Sequence, residues 1–264
     1  MSSLAIALCA LPNCGGEVIR LGDLSAAESA SGNGGMAAGN ATGSSGGEMV
    51  AGPGGEGGAA GSSVTCPRQP IAANEVLWIG DSWILLPGIQ HDRVRDLARA
   101  SGAIGASEDF VNSAAAATSM DRIAKQYETR QSGATKVKVL LMDGGTWDPI
   151  AAQMAGTSVS AAIDTSIAAF QQFLSKVASD GTVEHIVYFL VPELSTIPGV
   201  ATMRPRLQQA CADSSVPCHF IDLQPYWEGH PEYTAQDGIQ ASTAGGTVIA
   251  DLIWAQMQEN CIAQ

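Results

Sequence analysis

Short apolar runs alternate with segments of helical periodicity from Glu75 to the C-terminus, and this alternation leaves few folds open to the chain. Glu75–Ile79 reads as a strand. A helix follows over Gln90–Ala100, with Val94, Leu97 and Ala98 on one face and Arg93, Arg95 and Asp96 outward. Asp109–Asn112 reads as a short second strand, and Ser119–Thr129 as a helix with Met120, Ile123, Ala124 and Tyr127 at helical spacing. Val137–Met142, apolar except for Lys138, has the length and composition of a central parallel strand covered on both faces. Ser158–Ala178 predicts a long helix stopped at Asp180-Gly181, and Glu184–Val191 the fourth strand. Arg204–Ala212 predicts a helix, His219–Leu223 the fifth strand, and Ser242–Gln258 the closing helix, N-capped by Ser242 or Thr243. The order predicts α/β architecture: a three-layer α/β/α sandwich around a five-stranded parallel sheet. Such sheets place ligands beyond the carboxyl ends of their strands. Here those ends are Gly80-Asp81-Ser82, Asn112-Ser113-Ala114, Asp143-Gly144-Gly145 and the loop after Leu223.

This domain occupies residues 65–264. Residues 25–64 are dominated by Gly, Ala and Ser, with Met36, Met49 and Val50 as the larger apolar residues up to Ser63. Such a stretch buries too little apolar surface to offset chain entropy and reads as a tether. Residues 1–24 read as a leader. Leu4–Leu11 is a short apolar run, sized like the core of a signal peptide, and it precedes Cys14-Gly15-Gly16. That arrangement resembles a bacterial lipoprotein acylation site and implies an exported, lipid-anchored protein in the cell envelope, meeting the membrane only through Cys14. An unmodified chain still beginning at Met1, by intact mass of membrane-extracted protein, is the result that excludes this.

A net charge of −13 disfavours nucleic acid as a partner. Of the six cysteines, Cys66, Cys211, Cys218 and Cys261 fall in the domain and allow three pairings. Cys211 and Cys218 flank a short helix-to-strand connection, and Cys66 and Cys261 lie at the domain's two ends. The expected bridges are therefore Cys211–Cys218 and Cys66–Cys261, with four buried thiols as the alternative. No metal-ligand spacing occurs, neither metal nor organic cofactor is expected, and the domain is expected as a monomer.

Four blocks carry chemistry. Val76–Ile79 runs into Gly80-Asp81-Ser82, which places Ser82 at the head of a strand-to-helix turn. The others are Asn112–Thr118, Gly145-Thr146-Trp147-Asp148 and Asp237-Gly238-Ile239-Gln240. Together they are similar to the SGNH (GDSL-type) hydrolase superfamily over roughly Glu75 to Met257. The resemblance implies Ser82 as nucleophile, Asp237 as the acid that orients a base, and backbone N–H groups of Ser82 and Ala117 in an oxyanion hole beside Gly145. It implies a small-molecule ester or glycan as partner. Two positions depart from the family pattern. Trp147 stands where the oxyanion asparagine is expected, and Gln240 where the catalytic histidine is expected. An amide accepts no proton near neutral pH, and loss of the histidine from a serine triad costs about 10⁴- to 10⁶-fold in turnover.

His230 is the spare histidine nearest in sequence to Asp237, and is read either as a relocated base or as an ordinary loop residue. His91 is a weaker candidate, while His185 and His219 lie within strands. Asp143 and Asp148 are expected as turn residues beside glycines. Trp83 and Trp227, with Trp147, are read as either an aromatic platform for a sugar or acyl chain or as simple packing. Two functions follow: an esterase acting through Ser82, or a catalytically silent domain that binds a carbohydrate or acyl ligand.

Overall fold

The computed structural model describes residues 71–262. Within them five strands, β1 (Val76–Ile79), β2 (Val111–Asn112), β3 (Val139–Met142), β4 (His185–Leu190) and β5 (Cys218–Asp222), form one parallel sheet in the order β2-β1-β3-β4-β5. Every residue of β1 and β3 is buried, as continuous apolar runs covered on both faces require.

Eight α-helices among the described residues connect and cover these strands: α1 (Ser82–Leu85), α2 (Ile89–Ser101), α3 (Met120–Gln131), α4 (Trp147–Met154), α5 (Val159–Asp180), α6 (Val200–Ala212), α7 (Gln224–Trp227) and α8 (Thr243–Glu259). Helix α2 packs on α8 in one layer, and α5 packs on α3, α4 and α6 in the other. The result is the expected three-layer sandwich. Ser242 caps α8, its hydroxyl accepting from the Gly245 N–H at 3.1 Å, which settles the choice between Ser242 and Thr243.

Three helices escape the sequence pattern for identifiable reasons. α1 and α7 have four residues each, too short to show periodicity. α4 carries Pro149 in its first turn, where a missing N–H costs nothing. In α6, Pro205 masks a helix that begins earlier, at Val200, than the predicted Arg204.

Cys211 and Cys218 form the expected disulfide, which pins α6 to β5. Cys66 lies outside the described residues, while Cys261 is itself disulfide-bonded. His185 and His219 stack across β4 and β5 with Nδ1 and Nε2 3.2 Å apart, so one ring donates to the other. Burial holds both below their ordinary pKa, and for His219 the neighbouring His185 adds to the effect. They fasten two strands. Among the described residues no helix is long and apolar enough to cross a membrane.

Candidate active site

Strand β1 ends at Gly80, whose peptide is held from beneath. Its N–H donates to Gln126 Oε1 at 2.8 Å, and its carbonyl accepts from Gln126 Nε2 at 3.0 Å and from the Ala115 N–H at 3.2 Å. With φ at 144° and Asp143 Oδ1 filling the space that a Cβ would need, this position takes glycine alone. Asp81 then caps α1, its Oδ1 accepting from the Trp83 N–H at 3.1 Å and its Oδ2 from the Thr146 hydroxyl at 3.3 Å. Ser82 is the first residue of that helix, so its N–H has no intrahelical acceptor.

Asp143 is not the turn residue expected from its neighbouring glycines. Its side chain lies fully buried under the serine turn, with Oδ1 accepting from the Asp81 N–H at 2.7 Å and Oδ2 from the Ile84 N–H at 3.2 Å. Burial pushes its carboxyl well above the ordinary range, and the adjacent Asp81 carboxylate pushes further. Asp148, also expected as a turn residue, instead accepts the Met120 N–H at 3.1 Å at the start of α3, and burial raises it as well.

Across from this turn, Asp237 Oδ1 accepts the N–H groups of Ile239 at 2.8 Å and Gln240 at 3.0 Å. This local turn, a common use of aspartate, swings Gln240 toward the serine. Gln240 Nε2 donates to Ser82 Oγ at 2.9 Å. Residues 158 positions apart are thus joined where a serine hydrolase would join its nucleophile to its base. Gln240 Oε1 is buried without a hydrogen-bond partner among the described residues. The Asp237–Gln240 segment is further fixed by the Thr196 hydroxyl, which donates to the Gly238 carbonyl.

The remaining expected positions fall around the same turn. The loop after β2 is tied to β1 by the Ser113 N–H, which donates to the Trp78 carbonyl at 2.8 Å. Two residues past the Ala115 bond, Ala117 adopts φ 55°, a left-handed conformation that L side chains avoid. That is the backbone a glycine would take with ease, and alanine keeps it. Gly145 is buried, and its carbonyl accepts from the Ser166 hydroxyl at 3.3 Å. Trp147 opens α4 with its side chain only partly buried.

Other candidates are committed elsewhere. His230 Nδ1 is 2.8 Å from Glu232 Oε1, and its ring stacks on Tyr233 at 4.6 Å. His91 Nε2 lies 3.3 Å from the Phe110 carbonyl, with its ring edge-on to Trp78. Neither histidine is hydrogen-bonded to Ser82. Trp83 and Trp227 are 1% and 7% exposed, and their rings pack together at 5.8 Å. The three-tryptophan platform therefore does not form, because two of its members are core; of the three, Trp147 alone is partly exposed.

Sequence reasoning passed over Gln126 and gave Asp143 the wrong role. The signals were present but faint. Gln126 is a polar residue bordering the apolar Met120–Ile123–Tyr127 stripe, and Asp143 is an acid ending an all-apolar run. What each one bonds is set by residues far away in sequence.

No family model and no curated protein matches the chain. Solved structures do. Axe2, an acetylxylan esterase from Geobacillus stearothermophilus, superposes with a TM-score of 0.56 at 16% identity, over 73% of this chain and 96% of Axe2. The acetyl xylan esterase AlAXEase gives 0.56 at 13% identity, over 69% and 98%. The psychrotrophic esterase EstA from Pseudoalteromonas sp. gives 0.54 at 10% identity, over 71% and 99%. The chain has the hydrolase fold that these esterases share.

Proposed function

We propose that this is a divergent SGNH-type domain whose serine site recognises a ligand instead of cleaving an ester. The observation that carries this reading is the 2.9 Å contact from Gln240 Nε2 to Ser82 Oγ. In a working triad the serine hydroxyl donates to a base and offers its lone pair to a carbonyl carbon. Here the hydroxyl accepts from an amide, so its own proton is not donated to residue 240. A neutral amide also cannot take that proton. Ser82 becomes a hydrogen-bond donor to an acceptor oxygen, with no means of becoming an alkoxide.

The ligand class follows from the surroundings. The N–H of Ser82 heads a helix, the loop bearing Ala117 is bonded to the same turn, and the partly exposed Trp147 begins α4 after the carboxyl end of β3. Donors and a partly exposed aromatic residue suit the carbonyl of an acyl group or the hydroxyls and ring of a carbohydrate. We further propose that the domain sits outside the cytoplasm, held to a membrane through Cys14; the apolar run before that cysteine and the Cys211–Cys218 bridge support this.

Ester hydrolysis through Ser82 is the second reading, favoured by the serine keeping its place at the head of α1. Reaction with a fluorophosphonate probe separates the two. The expected result is no covalent labelling of Ser82 and ester turnover no faster than that of Ser82→Ala. Labelling at Ser82, or turnover that Ser82→Ala abolishes, overturns the silent site.

A further inference from the structure

Two carboxylates, Asp81 and Asp143, are packed beneath Ser82 at 2% and 0% exposure. The Asp81 N–H donates to Asp143 Oδ1 at 2.7 Å, so two carboxyl groups share one dry site, where both cannot stay ionised without a cation beside them. Asp143 accepts the N–H of Ile84 as well, and the two donors bracket Ser82 and Trp83. Asp81 in turn caps the helix that Ser82 begins. The serine turn is therefore gripped on both sides by one side chain, and that side chain is joined to the cap.

We propose that Asp143 is the positioning residue of the Ser82 turn, and that it acts as a protonated acid donating to the Asp81 carboxylate. The proton joins the clamp to the cap. Without it, two negative charges meet in a dry site, and Asp81 is driven from the Trp83 N–H and the Thr146 hydroxyl. From β4, Tyr188 faces the pair; its hydroxyl donates to the Gly144 carbonyl at 2.9 Å and supplies no positive charge. Thr146, which donates to Asp81 from the loop before α4, and Gln126, which holds the neighbouring Gly80 peptide from α3, are neutral. The nearest charge acting on Asp143 is Asp81 itself.

The consequence for stability has a definite sign. Asp143 is held protonated in the native state while its unfolded counterpart ionises in the ordinary carboxylate range. Its contribution is full below that range and is lost as pH rises through it toward the native pKa.

The test uses the full chain. Isotope-edited infrared spectra of the wild type at neutral pH are expected to show the C=O stretch of a protonated carboxyl, absent in Asp143→Asn. The amide resonances of Ser82 and Ile84 are expected to titrate with that group in the wild type and to stay flat in the variant. The carboxamide introduced by Asp143→Asn keeps a donor toward Asp81 and one acceptor for the Asp81 N–H but loses the acceptor of the Ile84 N–H, so this variant should be less stable, and its denaturation midpoint should lack the wild-type decline with rising pH. If Asp143→Asn does not fold, the wild-type infrared band and amide titration decide alone. Absence of a protonated carboxyl at neutral pH, or Ser82 and Ile84 amides that ignore its titration, overturns the proposal.

Discussion

A Gln240→His variant is expected to hydrolyse an activated acetyl ester at least about 10²-fold faster than the wild type. The geometry is already prepared. Gln240 places its terminal nitrogen 2.9 Å from Ser82 Oγ, and an imidazole on the same backbone has similar reach. Both backbone bonds to Asp237 fall on Oδ1, which leaves Oδ2 to accept the N–H on the far side of that ring. By the resemblance Trp147 stands where an oxyanion donor is expected, so the single variant is expected to stay well short of a complete enzyme. Adding Trp147→Asn should contribute a further factor of about 10²–10³, the cost of one missing oxyanion donor. Acetyl-ester assays with Ser82→Ala in the same background as the blank provide the check. A double variant as inert as that blank means that Ser82 and residue 240 do not hold the arrangement described.

Gly80→Ala is expected to be the most damaging small substitution in the domain, at about 3 kcal/mol or more. Asp143 Oδ1 fills the space that a methyl there would need, and φ at 144° is closed to alanine. Neither side can yield, because Gln126 fixes the Gly80 peptide and two backbone N–H groups fix the Asp143 carboxyl. For a domain of this size the loss corresponds to a fall in Tm of roughly 6–12 °C. Gly102→Ala is the control. It also carries positive φ, at 77°, but its Cβ meets nothing within 4 Å, so only the backbone cost of about 1 kcal/mol applies. Thermal melts of both variants give the comparison, and equal losses would show that the contact with Asp143 is unimportant.

The sheet and its order of helices were legible because period and length report burial directly. β1 and β3 are covered on both faces and are written as unbroken apolar runs. Ser82 and Asp237–Gln240 were legible for another reason: their chemistry rests on short local turns, in which each aspartate bonds an N–H two or three residues ahead. Asp143 was not legible in this way. Its partners are Asp81 and Ile84, 62 and 59 positions away, and a glycine-flanked acid looks like a turn until the sheet brings them together. Trp83 and Trp227 failed for the same reason. Sequence places both beside the site, but only packing shows that each ring is spent on the other.

Helix α3 has a mechanical role that no single contact conveys. At its first turn the Met120 N–H is tied to Asp148, next to Trp147; two turns on, Gln126 grips Gly80, one residue before the cap of α1. A stiff rod is thereby pinned at one end to the aromatic lip and farther along to the root of the serine. The same helix therefore anchors the Asp148 turn beside Trp147 and the Gly80 peptide before Ser82, so that one rigid element sets the positions of both.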